Sequence, residues 1–111
     1  MKFLFDSQGH HIANEVNGQL HSSTGHNIGH YLPTQGFFID MHGYYLGEIV
    51  SGNRLLYRLN NGFQNVCYGN YGNYGNVGNY GNPGNYGSIG NIAGYKDIVI
   101  SLSNIKDEQM F

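Results

Sequence analysis

Asp6-Ser7-Gln8-Gly9-His10-His11-Ile12-Ala13, Ser22-Ser23-Thr24-Gly25-His26-Asn27-Ile28-Gly29 and Asp40-Met41-His42-Gly43-Tyr44-Tyr45-Leu46-Gly47 are three copies of one unit, D/S-x-x-G-x-x-I/L-G/A, set 16 and then 18 residues apart. Asp or Ser opening a type I turn, with Gly three residues later in the left-handed region, is the chemistry of a hairpin turn ending in a bulge. A second turn closes each copy, at Asn17-Gly18, Gln35-Gly36 and Ser51-Gly52. Each copy therefore reads as two short strands.

The apolar residues follow the same phase. Ile12, Ile28 and Leu46 are equivalent, and four residues on stand Val16, Leu32 and Val50. Strand side chains alternate with period two, so these six are expected on one face, as the core. Leu4, Leu20 and Phe38 hold matching places on the preceding strands. The run Arg54-Leu55-Leu56-Tyr57-Arg58-Leu59 sets Leu55, Tyr57 and Leu59 on one side and Arg54, Leu56 and Arg58 on the other, so Leu56 requires a second partner surface.

A fourth copy starts at Leu56-Tyr57-Arg58-Leu59-Asn60-Asn61-Gly62-Phe63, but its apolar residue, Val66, comes one place late. Either the turn carries one more residue, or the later strand Asp97-Ile98-Val99-Ile100-Ser101-Leu102 completes the unit. Units this short cannot bury an apolar face alone and must share a core. Helix is excluded by propensity, since Gly recurs every few residues.

The repeated D-x-x-G-x-x-I-G with its N-G or S-G return turn resembles the four-fold beta flower proteins, small bacterial domains of four hairpin units about a pseudo-four-fold axis. The resemblance spans roughly residues 3–66 and implies an all-β fold of that kind. It implies no catalytic or ligand-binding residue, and the Gly/Asn/Tyr tract departs from the family pattern.

Composition sets the outer bounds. The chain has 111 residues, enough for a single domain, with one Cys and a net charge of -2. That removes internal disulfides and the basic footprint that nucleic-acid binding needs. No stretch approaches the roughly 20 apolar residues of a membrane span. Asp6 interrupts what would be the apolar region of a signal peptide. A cytoplasmic location is the expectation. Seven of the charges lie within residues 2–58, five within residues 96–108, and none between Cys67 and Tyr95. The single domain thus divides into hairpin repeats (1–67), a neutral tract (68–95), and a C-terminal strand and tail (96–111).

Inside the tract Gly69, Gly72, Gly75, Gly78, Gly81, Gly84, Gly87 and Gly90 stand at every third place, Asn follows all but one of them, and Tyr71, Tyr74, Val77, Tyr80, Pro83, Tyr86, Ile89 and Ile92 fill the remaining places. A period of three matches polyproline II, with one face of glycine, one of amide and one largely aromatic. Glycine at every third place would then let another backbone approach. Stretched out in that conformation, the tract would reach about 74 Å at roughly 3.1 Å per residue. A domain of this size has a radius of gyration of only about 13 Å, so the tract must protrude, associate or fold back.

Reactive chemistry finds little support. His10 and His26 are equivalent, but Tyr44 takes the third place. Symmetry therefore offers two metal ligands and not a closed set. Of His10, His11, His21, His26, His30 and His42, those flanking turns are expected as solvated or ring-stacked side chains. Cys67 is a lone thiol, Asp6 and Asp40 cap turn amides, Glu48 is expected to face solvent, and no Gly cluster leads into a phosphate loop. The expectation is therefore a non-enzymatic structural or interaction module without catalytic, cofactor or metal residues. It would self-associate through residues 69–92, with Tyr71, Tyr74, Tyr80 and Tyr86 as contacts. A carbohydrate-binding module using Tyr44, Tyr45, Tyr57 and tract Tyr/Asn surfaces is the alternative, and a small hydrolase or metal-binding protein a more distant one.

Overall fold

The computed structural model describes residues 1–60, 62, 63, 66–69 and 83–98. Those residues form an all-β ring of hairpins. Its strands are β1 (Lys2–Phe5), β2 (His11–Val16), β3 (Gln19–Ser22), β4 (Asn27–Leu32), β5 (Phe37–Asp40), β6 (Tyr45–Val50), β7 (Arg54–Arg58) and β8 (Tyr95–Asp97). Each pairs antiparallel with the next, and a parallel bridge between Phe5 and Arg54 joins β1 to β7 and closes the ring. Closure gives otherwise open strand edges a partner. The Arg54 guanidinium adds a hydrogen bond to the Asp6 carbonyl at 3.0 Å.

The repeated turn chemistry does what its residues dictate. In each copy the Gly amide donates to the carbonyl of the turn's first residue, from Gly9 to Asp6, Gly25 to Ser22 and Gly43 to Asp40. The three glycines share φ values of 91°, 94° and 95°. Gly enters that region at little steric cost. Asp6 Oδ1 accepts from the amides of Gln8 and His10, Asp40 Oδ1 from those of His42 and Tyr44, and Ser22 Oγ from that of His26. The return turns fall where expected, with Asn17 and Gly18 both at positive φ.

The ladders alter the expected core. Phe5 pairs His11 while Leu4 pairs Ala13, His21 pairs Asn27 while Leu20 pairs Gly29, and Ile39 pairs Tyr45 while Phe38 pairs Gly47. Ile12, Ile28 and Leu46 are therefore the extra residue of a β-bulge in every copy. An extra residue shifts the alternation by one, so the later side chains of the strand change face. Ile28 and Leu46 lie in the central core with Leu4, Ala13, Leu20, Phe38 and Leu55, and Ile12 packs against it. Val16, Leu32 and Val50 do not join them: each is half-buried, and Leu32 packs on a second cluster of Phe37, Ile39 and Tyr45.

The fourth hairpin is completed by the later strand. β7 pairs β8 through Leu56 with Asp97, Tyr57 with Lys96 and Arg58 with Tyr95. Placing Leu56–Asp97 beside the pairs Phe5–His11, His21–Asn27 and Ile39–Tyr45 makes Ile98 the fourth equivalent of Ile12, Ile28 and Leu46. Ile98 does pack against the central core, and Leu55 takes the place of Leu4, Leu20 and Phe38. Val66 and Leu59 are exposed and contribute nothing to it. Leu56, 1% exposed, finds its second surface in the returning chain, where it lines a small cavity with Ile92 and Tyr95. The tract is thus an insertion in the turn of the fourth hairpin. Residues 99–102, the remainder of the anticipated strand, lie outside the described residues.

Candidate functional site

Both described ends of the tract lie on hairpin turns. At the third turn the Tyr68 amide donates to the Gly43 carbonyl at 2.8 Å, and at the first turn the Tyr86 amide donates to the Gly9 carbonyl at 2.8 Å. A Cβ on Gly43 would overlap the Gly69 carbonyl oxygen, and one on Gly9 would overlap that of Tyr86. The Ile89 amide then reaches the Ser7 carbonyl at 2.8 Å. Tyr68, Tyr86 and Ile89 all occupy the third place of the triplet, so the phase of the repeat selects which amide faces the ring.

Close approach is made by the ring's Gly9 and Gly43, whereas a Cβ at Gly84, Gly87 or Gly90 would meet nothing within 4 Å. Gly69, Gly84 and Gly90 instead adopt φ of 109°, 81° and 70°. A continuous polyproline II helix keeps φ negative throughout and contains no such residue. In the described part, glycine serves to bend the tract onto the ring. Of the four tyrosines expected as contacts, Tyr86 is 57% exposed, with its ring 4.9 Å from Phe5 and the Arg54 guanidinium 5.4 Å away. Tyr71, Tyr74 and Tyr80 lie outside the described residues.

A polar network anchors the return of the chain. Glu48 does not face solvent: its Oε2 accepts from the Tyr45 hydroxyl at 2.8 Å and from Arg58 Nε at 3.1 Å, and its Oε1 accepts from the Tyr95 hydroxyl at 3.2 Å. Burial, reinforced by the Glu48 charge, pushes the Tyr95 phenol above its ordinary range, and burial does the same to Tyr45. Asp97 accepts from the amide and hydroxyl of Ser7, both at 2.8 Å, tying β8 to the first turn. These bonds hold β6, β7, β8 and the first turn together. The spacing of the apolar residues carries no sign that Glu48 would meet two tyrosines, because Tyr95 lies outside the three repeated copies.

Three of the histidines that lie beside turns or on the first hairpin, His10, His11 and His26, make local contacts. His10 Nδ1 lies 3.2 Å from Asp6 Oδ2, His26 Nδ1 lies 3.0 Å from Thr24 Oγ1, and His11 pairs with Asn14 and stacks edge-on to Phe3. His21 and His30 are buried, and burial holds the His21 ring below its usual pKa. Among the described residues no three His, Cys, Asp or Glu side chains gather as a metal site. The exposed Cys67 thiol donates to the His42 carbonyl at 3.3 Å.

Of the tyrosines named for sugar stacking, Tyr45 and Tyr57 pack on each other with ring centroids 5.1 Å apart. Tyr44 is exposed, Tyr45 is buried against Phe37 and Tyr57, and the Tyr57 ring carries the Lys96 ammonium 4.9 Å from its centroid. Tyr45, Tyr57, Lys96 and Asp97 border an open groove of about 270 Å³. Among the described residues no helix is long and apolar enough to cross a membrane. Comparison with protein-family models, curated proteins and solved structures returns no match.

Proposed function

We propose that this protein is a non-catalytic structural module of the four-fold beta flower kind, whose hairpin ring is a rigid platform and whose triplet tract mediates association with a second copy of the chain. The observation that carries this reading is the presentation of residues 83–91: all are exposed, while the Tyr86 and Ile89 amides clamp one edge of the segment to the first turn. Tyr86, Ile89 and the neighbouring asparagines are thereby displayed on a held backbone, which lowers the ordering cost of binding. Tyr and Asn together supply ring area and adaptable hydrogen bonds. A cytoplasmic setting fits the unpaired Cys67.

Light scattering on the full chain tests the proposal. The expected mass is a multiple of 12.3 kDa, falling to 12.3 kDa in the Tyr86→Ser/Ile89→Ser variant. A full chain that stays at 12.3 kDa at every concentration overturns it.

A further inference from the structure

We propose that Arg54 is the floor of an anion site beside the first turn, and that its ligand is an oxyanion, a phosphate or a carboxylate, taken on the unused N–H edge of the guanidinium. The inference stands independently of self-association. Arg54 is only 4% exposed. Among the described residues no carboxylate pairs with it, whereas Arg58 on the same strand has Glu48 at 3.1 Å. A buried charge without a counter-charge is costly, so such groups are almost always paired.

The contacts that the chain does give Arg54 leave most of its donors over. Nη1 donates to the Asp6 carbonyl at 3.0 Å. The Tyr86 ring, its centroid 5.4 Å from the guanidinium carbon, meets the charge through its π face and accepts no such bond. Among the described residues Nε and Nη2 have no acceptor, and neither is sealed from solvent. The nearby Asp6 carboxylate is already engaged, Oδ1 by the amides of Gln8 and His10 and Oδ2 by His10 Nδ1. What remains is a planar fork of the kind that matches two oxygens of a carboxylate or phosphate.

The fold does not ask for a charge at this place. Arg54 precedes Leu55 as Phe3 precedes Leu4, Gln19 precedes Leu20 and Phe37 precedes Phe38, and those four followers are equivalent residues of the central core. The other hairpins build the same position from phenylalanine or an uncharged amide, so the guanidinium brings a chemistry that the ring itself does not use.

NMR titration of the full chain at constant ionic strength tests the site, with sodium phosphate and sodium acetate set against sodium chloride. The Arg54 Nε–Hε and Tyr86 amide signals are expected to shift saturably in at least one of the two oxyanions and not in chloride. Saturation by phosphate alone assigns a phosphate-bearing ligand, and saturation by acetate alone a carboxylate-bearing one. Arg54→Gln, an exchange whose product Gln19 already occupies the equivalent place in the second hairpin, is expected to lose the saturable Tyr86 shift. Arg54→Lys keeps the charge without the fork and is expected to bind at least about tenfold more weakly. No saturable shift in the unmodified chain, the same Tyr86 shift in Arg54→Gln, or undiminished binding in Arg54→Lys overturns the proposal.

Discussion

Glu48 joins three strands through one carboxylate. It takes hydrogen bonds from Tyr45 beside it, Arg58 on β7 and Tyr95 on β8, and its side chain is only 17% exposed. Glu48→Ala leaves two phenols and a guanidinium to find new partners, which is expected to cost about 1–3 kcal/mol, read as a lower urea midpoint with an unchanged slope. His21 gives a pH dependence of definite sign. Its folded pKa lies below the ordinary value of 6.5. In mild acid the unfolded chain therefore takes up a proton that the folded chain refuses. Stability is full above about pH 6.5 and falls as pH drops from there toward the folded value. His21→Gln is expected to flatten that part of a plot of melting temperature against pH, and an unchanged slope would remove His21 as its source. At this scale the turn-capping Asp6 and Asp40 were legible, because the bonds they make are local. Glu48 was not, since its partners arrive from Arg58 and Tyr95.

The hairpin element owes its form to the bulge. Leu46 is 4% exposed in the central core. Its truncation to Ala is expected to cost about 2–5 kcal/mol, whereas Val50→Ala, on the other side of the phase shift, is expected to cost less than about 1 kcal/mol. Equal losses in urea denaturation would place both on one face and refute the bulge. Gly29 is held small by packing: a Cβ there would strike the Ile39 carbonyl oxygen on β5. Gly29→Ala is therefore expected to destabilise by about 1–3 kcal/mol as overpacking. The equivalent place in the first hairpin nonetheless accepts Ala13. Turn positions and the residues Ile28 and Leu46 could be read from spacing alone. The face of Val16, Leu32 and Val50 could not, because strict alternation carries no sign of an inserted residue, and a shift of one is enough to turn a side chain over.

At the scale of the molecule, the tract interrupts the fourth hairpin and is fastened to the turns of the first and third. The charge-free composition of the tract marked it as separate, and its triplet phase survives in the structure as the phase of its anchoring amides. Its attachment points could not be foreseen, since the partners are backbone carbonyls that carry no sequence label. Ile98 packs against the central core as its fourth equivalent. Ile98→Ala is therefore expected to lower the melting temperature of the whole ring in one cooperative transition, where a loose C-terminal strand would leave it unmoved. The central claim is that β7 pairs with β8 across the inserted tract. Arg58 and Tyr95 are cross-strand partners flanked by the hydrogen bond from the Leu59 amide to the Gly94 carbonyl. That makes them a pair whose Cα atoms approach to about 4.5 Å. The most direct measurement is the NMR contact between the Hα protons of Arg58 and Tyr95 in the full chain. A strong contact is the predicted result, and its absence, with contacts instead between Arg58 and residues 62–66, would contradict the account.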